Sequence, residues 1–118
     1  MAIVTLYGLA ACDACRRARK WLDAHALDYT WHDVRRGGLS AELTSGWADS
    51  AGWDALINRR SRTWRDLAPE DQTRTGSDPT ALLAEHPTLL KRPLLQTGDG
   101  IEVGFDEERW SQLLGLGQ

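Results

Sequence analysis

The chain has 118 residues, of which 42% are hydrophobic and 26% are charged, and its formal net charge is −3. This length suits one ordinary domain with a single core, and the acidic balance argues against a general nucleic-acid or polyanion binder. Since no apolar run approaches the roughly 20 residues that cross a bilayer, we also expect no membrane partner.

The opening segment indicates the cellular compartment of the protein. "MAIVTLYGL" lacks the basic region and the small-residue cleavage site of a secretory signal, so we do not expect export. The sequence therefore predicts a cytoplasmic protein. In that compartment a close cysteine pair is more often catalytic or metal-binding than structural.

The first part of the chain alternates between strand and helix patterns. Residues 2–8, "AIVTLYG", are β-branched and aromatic and end at a glycine, which predicts a buried strand. From Asp13 to about His25, apolar residues recur at spacings of three and four, which predicts a helix. Residues 28–34 alternate and predict a second strand. This order predicts a parallel βαβ unit.

The rest of the chain predicts a helical stretch and then a hairpin. Residues 39–90 favour short helices, one of them over 53–58. Residues 92–105 contain two apolar runs around a Gly-Asp-Gly turn, which indicates a β-hairpin, and Asp106 is placed to cap a last helix. We therefore predict an α/β fold with a mixed sheet, in one domain over residues 1–118.

Cys12 and Cys15 are the only cysteines of the sequence, and they lie where the first loop meets the first predicted helix. A structural zinc site needs four ligands. The histidines show no paired zinc-ligand spacing, so a metal would need ligands from another chain. Burial as small apolar side chains is a second interpretation, and it suits Cys15 better than Cys12.

Thiol chemistry is the third interpretation and has the strongest physical basis. Cys12 lies at the predicted helix N-terminus, where unpaired backbone N–H groups and the helix dipole favour an anion. A contribution of about 2 kcal/mol would lower the pKa of the thiol by about 1.5 units. Cys15, one turn further on, could attack a mixed disulfide on Cys12. We therefore predict that Cys12 is the nucleophile and Cys15 the resolving thiol.

Four segments in this order make the chain similar to a known family. It resembles the ArsC/Spx superfamily and, within it, the small YffB-like arsenate-reductase-related proteins. The resemblance implies a thioredoxin-like domain (βαβ, a helical insert at about 39–90, then ββα) and a redox-active Cys12. The segments are "TLYGLAACDACRRARKWL", "YTWHDVRRGGL", "GWDALINRRSRTWRDL" and "HPTLLKRPLL".

The resemblance also implies an anion site. Arg60 and Arg92 match two arginines that line the anion site of arsenate reductases, and Pro93 matches a proline that is commonly cis and lies opposite the reactive cysteine. A guanidinium offers a planar donor fork that suits the carboxylates of glutathione or a tetrahedral oxyanion. The alternative for Arg60 is that it only solvates a helix end among its neighbouring arginines.

Two departures separate the chain from arsenate reductases. Those enzymes carry a histidine where this chain has Gly8, and a third arginine where it has "VGFDEER". Fewer cations would leave an arsenate-like transition state less neutralised. Cys15, where the enzymes usually have another small residue, creates a dithiol site instead.

The sequence thus predicts a thiol–disulfide oxidoreductase that uses glutathione as co-substrate and holds no bound cofactor or metal. One alternative is an arsenate reductase coupled to glutaredoxin. The other is an Spx-like redox-sensing regulator that binds the α subunit of RNA polymerase.

Overall fold

The computed structural model describes residues 3–116. Within that range the chain forms two compact units. The sheet unit combines residues 3–33 with residues 92–116, and the helical unit is Val34–Lys91. The helical insert expected at about 39–90 falls within the helical unit. The single domain over residues 1–118 stays a prediction, and Ala2, in the predicted first strand, lies outside the described residues.

Four strands form one sheet in the spatial order β2-β1-β3-β4. The pair β1–β2 is parallel, whereas β1–β3 and β3–β4 are antiparallel. This arrangement confirms the predicted α/β fold with a mixed sheet. The strands are β1 (Thr5–Gly8), β2 (Thr30–Asp33), β3 (Leu94–Thr97) and β4 (Gly100–Val103).

Nine α-helices and one short 3-10 helix, Pro87–Leu89, lie in the part of the chain that the structure describes. Only the first and the last α-helix belong to the sheet unit. None of these helices combines the length and apolar character needed to span a membrane. They are α1 (Asp13–Ala24), α2 (Val34–Gly37), α3 (Ala41–Ala51), α4 (Trp53–Leu56), α5 (Arg62–Asp66), α6 (Pro69–Gln72), α7 (Arg74–Ser77), α8 (Pro79–Glu85) and α9 (Glu107–Leu114).

The core of the sheet unit lies between the sheet and its two helices. Leu6 and Leu95 contribute from neighbouring strands, Ala18 and Leu22 from α1, and Trp110 from α9. All five side chains are fully buried. Because the apolar positions of α1 repeat at helical spacing, that helix turns one face to this core and leaves most of its basic side chains in water.

The helical unit is organised around its longest helix, α3. The Ser40 hydroxyl accepts a hydrogen bond from the Leu43 N–H at 3.2 Å and so caps the start of α3. Trp47 on α3 is 2% exposed. α3 contacts α8, whose Leu82 and Leu83 are fully buried.

Several predicted boundaries are wrong. The strand predicted over residues 2–8 begins at Thr5, and the one predicted over residues 28–34 begins at Thr30. The second strand ends at Asp33, and Val34 opens α2 instead of extending the strand. The helix predicted over residues 53–58 ends at Leu56, because Ile57 forms an isolated antiparallel bridge with Leu90. Pairing with a segment more than thirty residues away along the chain overrode the local helical pattern.

Candidate functional site

Cys12 is the N-cap residue of α1. Its backbone is extended, with φ −80° and ψ 124°. Its carbonyl accepts the first helical hydrogen bond from the Arg16 N–H at 2.9 Å, and its own N–H donates to the Leu9 carbonyl at 3.1 Å. The loop after β1 thus ends in a tight turn, and this turn holds the partly exposed Cys12 at the helix N-terminus.

Cys15 lies one turn further along, on the buried face of α1. It is 0% exposed, in line with Ala18 and Leu22. Its thiol is hydrogen-bonded to the sulfur of Cys12, and its backbone N–H also interacts with that sulfur. The second contact does not have the geometry of a standard side-chain cap. Both cysteines are free thiols.

The surroundings of Cys12 favour its thiolate. Burial by itself raises the pKa of Cys12. The backbone N–H and the thiol of Cys15, followed by the charge and a hydrogen bond of Arg92, outweigh that effect. The net result is a pKa of Cys12 below its ordinary value, in the direction predicted from the helix N-terminus. Cys12 can therefore act as a nucleophile closer to neutral pH than a free cysteine.

Cys15 shifts the other way. Burial, followed by the hydrogen bond to Cys12 and the charge of that thiolate, raises the pKa of Cys15 to about 12, although a backbone hydrogen bond from Leu9 and the charge of Arg92 oppose the rise. Cys12 is therefore the first of the two thiols to ionise. Cys15 keeps its proton and donates it towards Cys12.

Strand pairing explains how Arg92 reaches this pair. β1 and β3 are antiparallel, with Tyr7 opposite Leu94, so the start of β3 lies beside the end of β1. Arg92 and Pro93 directly precede β3, and the Arg92–Pro93 peptide bond is cis, as the family resemblance implied for this proline. The structure thus brings Cys12, Cys15 and Arg92 together within the sheet unit.

The basic residues of α1 play a smaller part than their number suggests. Arg16 is paired with the carboxylate of Asp13, and both side chains are largely exposed. Arg19 lies over the ring of Trp31, with its Cζ 4.3 Å from the ring centroid. The cation that acts on Cys12 comes instead from the distant segment before β3.

Arg60 belongs to the helical unit. It is exposed, and its backbone N–H donates to the Asn58 side-chain oxygen at 3.0 Å in the turn before α5. Its neighbours are engaged locally: Arg59 pairs with Asp54 at 3.1 Å, and Arg62 lies 4.0 Å from Asp66. The role of Arg60 in anion binding stays a prediction.

Over residues 3–116, no group of three or more histidine, cysteine and acidic side chains is arranged so that it could hold a metal ion.

Comparison with known proteins gives the family. A sequence model described as the ArsC family matches residues 7–113. The chain belongs to the ArsC family. An uncharacterized protein of Haemophilus influenzae is 39% identical over 112 residues, which cover 92% of this chain and 96% of that protein. The global transcriptional regulator Spx 2 of Bacillus cereus is 31% identical over 95% of this chain and 87% of its own.

Solved structures of ArsC-type proteins share the fold. A YffB protein superposes with a TM-score of 0.85 at 32% identity, covering 94% of this chain and 98% of its own. An arsenate-reductase-related protein of Brucella melitensis superposes with a TM-score of 0.71 at 32% identity, covering 93% and 92%. The predicted thioredoxin-like α/β fold is therefore confirmed, in a family that includes arsenate-reductase-related proteins and Spx regulators.

Sequence reasoning missed one feature of the site. In the sequence, Gly8 marks only the end of the first predicted strand and the position where arsenate reductases have a histidine. In the structure its α-carbon lies against the Cys15 thiol, and a Cβ at this position would be 2.5 Å from the Cys15 sulfur. No local pattern could have indicated this, because the contact joins the end of a strand to the first turn of the next helix.

Proposed function

We propose that this ArsC-family protein is a thiol–disulfide oxidoreductase that uses glutathione as co-substrate. The observation that carries the proposal is the hydrogen-bonded pair of Cys12 and Cys15, with the Arg92 guanidinium beside the thiolate. A partly exposed thiolate next to a buried, protonated thiol is the arrangement that disulfide exchange requires. The cytoplasm, the location we propose for the protein, contains a glutathione pool that suits this reaction.

The reaction takes place in two exchanges. The Cys12 thiolate attacks one sulfur of a disulfide substrate, a mixed disulfide forms, and the first thiolate leaves with the electron pair of the broken bond. The Cys15 sulfur then attacks Cys12, and the second thiolate leaves. Two molecules of glutathione return the Cys12–Cys15 disulfide to the dithiol. The two electrons exchanged are taken up and released by the Cys12 and Cys15 sulfurs, so these steps need no bound cofactor or metal.

The opposed pKa shifts set the order of these exchanges. Before reaction, the charge of Cys12 and its hydrogen bond help to keep Cys15 protonated. Once Cys12 is part of a mixed disulfide, that charge is gone, whereas the charge of Arg92 still lowers the pKa of Cys15. Cys15 therefore becomes easier to ionise only after it has a bond to attack.

Two cysteine variants test the proposal. The purified variants Cys12→Ser and Cys15→Ser are treated with glutathione disulfide and weighed intact by mass spectrometry. We expect Cys12→Ser to acquire no glutathione, because the remaining Cys15 is buried and protonated. We expect Cys15→Ser to retain one glutathione, and the unmodified protein to end as the internal disulfide. Equal glutathione labelling of the two variants would contradict the assignment.

We assign Arg92 and Arg60 to the carboxylates of the glutathione moiety. For Arg60 we consider the rate at which glutathione disulfide oxidises the dithiol. We predict that Arg60→Ala raises the glutathione disulfide concentration that gives half of the maximal rate by about tenfold, because a charge-assisted hydrogen bond contributes about 1.5–3 kcal/mol. Arg62→Ala is the matched control, because Arg62 is an exposed neighbour that pairs with Asp66. An Arg60→Ala effect no larger than that of the control would exclude Arg60 from anion binding.

A second candidate is a redox-sensing regulator that binds the RNA polymerase α subunit. The specific observation in its favour is the 31% identity to the Spx 2 regulator along 95% of this chain. In that case the Cys12–Cys15 pair would serve as a switch and not as a catalyst. Binding to the isolated α subunit that changes on oxidation, together with no turnover of disulfide substrates, would favour this function.

Arsenate reduction coupled to glutaredoxin is the third candidate, and the family match and the Brucella melitensis relative favour it. Gly8 stands against it, because it replaces the histidine of arsenate reductases. Arsenate-dependent consumption of glutathione in the presence of glutaredoxin would favour this candidate over the other two.

A further inference from the structure

Gly8 and Cys15 occupy adjoining space in the core of the sheet unit. Gly8 is buried at the end of β1. A Cβ built on it would lie 2.5 Å from the sulfur of Cys15 and 3.4 Å from the Cβ of Cys15. Non-bonded heavy atoms settle at about 3.5–4.0 Å, so a side chain at position 8 and the present Cys15 sulfur cannot coexist.

We propose that Gly8 is a positioning residue for the dithiol: its missing side chain leaves the space in which the Cys15 sulfur is held against Cys12. Gly8 thus fixes the position of a sulfur atom. The chemical consequence of that position, the resolution of a mixed disulfide, rests on the proposed function.

An alanine at position 8 would displace the Cys15 sulfur. The backbone at Gly8 is not in the left-handed region, so alanine fits the backbone and the conflict is confined to the added methyl group. Cys15 is 0% exposed and short, and it can respond chiefly by turning about its Cα–Cβ bond. That rotation carries the thiol away from Cys12.

Two measurable properties depend on this placement. The first is the hydrogen bond that the Cys15 thiol donates to Cys12, which helps to lower the pKa of Cys12. The second is the line of attack in the resolving step. There a Cys15–Cys12 bond forms, the Cys12–glutathione bond breaks, and glutathione leaves with the electron pair and takes up the Cys15 proton. The glutathione disulfide that made the adduct is the oxidant.

An added side chain at position 8 would also contact Trp31, and this contact must be distinguished from the displacement of the Cys15 sulfur. The added Cβ would also lie 3.2 Å from Cη2 of the Trp31 ring, which would have to yield by a few tenths of an ångström. That contact does not involve Cys15. A Gly8→Ala change made in a Cys15→Ala background keeps the Trp31 contact and removes the sulfur, so the double variant isolates the Cys15 contribution.

The test uses Gly8→Ala, Cys15→Ala, the double variant and the unmodified protein. Gly46→Ala is the matched control, because nothing lies within 4 Å of a Cβ at Gly46. The pKa of Cys12 is measured from the pH dependence of alkylation. The release of glutathione from Cys12 is followed by quenched-flow mass spectrometry after addition of glutathione disulfide.

We expect Gly8→Ala to raise the pKa of Cys12 by about one unit, as loss of a hydrogen bond to a charged group implies. We expect it to slow glutathione release by about tenfold, since misplaced reacting atoms lose rate steeply. Gly46→Ala should do neither. In the Cys15→Ala background, Gly8→Ala should leave the pKa of Cys12 unmoved. An equal shift with and without Cys15, or no shift with Cys15 present, would overturn the proposal.

Three further outcomes are informative. If Gly8→Ala fails to fold while the double variant folds, the conflict with the Cys15 sulfur is supported directly; if both fail, the space at Gly8 serves Trp31 and the proposal is wrong. If the unmodified protein acquires no glutathione, the proposed function fails, but the pKa comparison still decides the role of Gly8.

Discussion

In the folded chain burial raises the pKa of Cys15 to about 12, whereas the pKa of Cys12 lies below its ordinary value. The neutral Cys15 thiol contributes stability that is complete below its unfolded pKa of about 8.5 and is lost as the pH rises towards its folded value. The Cys12 thiolate has the opposite pH dependence. Its contribution to stability is complete above about pH 8.5 and is lost as the pH falls through the lowered pKa of Cys12 in the folded chain.

The free energy of unfolding at alkaline pH reports the contribution of the Cys15 thiol to stability. From about pH 8.5 to about pH 10, the unmodified protein should lose about 2 kcal/mol of unfolding free energy relative to Cys15→Ala, because each pKa unit corresponds to about 1.4 kcal/mol. Urea unfolding under reducing conditions measures the difference, and other alkaline groups such as Tyr7 cancel because both proteins contain them. A difference that stays constant between the two pH values would show that Cys15 is not held protonated.

At the scale of single residues, the sequence predicted the two thiols well but not their neighbours. The spacing of Cys12 and Cys15 placed one at a helix N-terminus and the other on the buried face, and the structure has them there. The hydrogen bond between the thiols and the fit of Cys15 against Gly8 depend on how β1 meets α1. Such contacts follow from packing and leave no local pattern.

At the scale of elements, the last helix depends on its cap. The Asp106 carboxylate accepts a hydrogen bond from the Arg109 N–H at 2.9 Å, as predicted from its place before an apolar repeat. We expect Asp106→Ala to cost about 1 kcal/mol of unfolding free energy and Asp106→Asn much less, because asparagine also caps helices well. Urea unfolding of the two variants checks this. An Asp106→Ala variant as stable as the unmodified protein would mean that the cap contributes nothing to α9.

The elements of the sheet unit were easier to predict than those of the helical unit. A βαβ pattern and a Gly-Asp-Gly hairpin have strong local signatures, and both are present. In the helical unit most helices are short, and long-range pairing overrides the local pattern at one of their ends. The bridge between Ile57 and Leu90 is an example, since nothing in residues 53–58 points to a partner so far along the chain.

At the scale of the whole molecule, the thiol site depends on segments from the two ends of the sequence. The first segment of the sheet unit ends at Asp33, and its second segment begins at Arg92. The antiparallel pairing of β1 with β3 places the start of the second segment beside the Cys12 loop. The proximity of Arg92 was implied by resemblance alone, because composition and spacing carry no information on strand order. In a denatured chain Arg92 is not held beside Cys12.

The fold lowers the pKa of Cys12 below that of the unfolded chain, and the pH dependence of Cys12 alkylation tests this most directly. Iodoacetamide is reacted over a pH series with the native protein and with the urea-unfolded protein, and peptide mass spectrometry reports modification of Cys12. We predict a native midpoint below the unfolded value of about 8.5, and an intermediate midpoint for the native Arg92→Gln variant. A native midpoint at or above the unfolded one would contradict it.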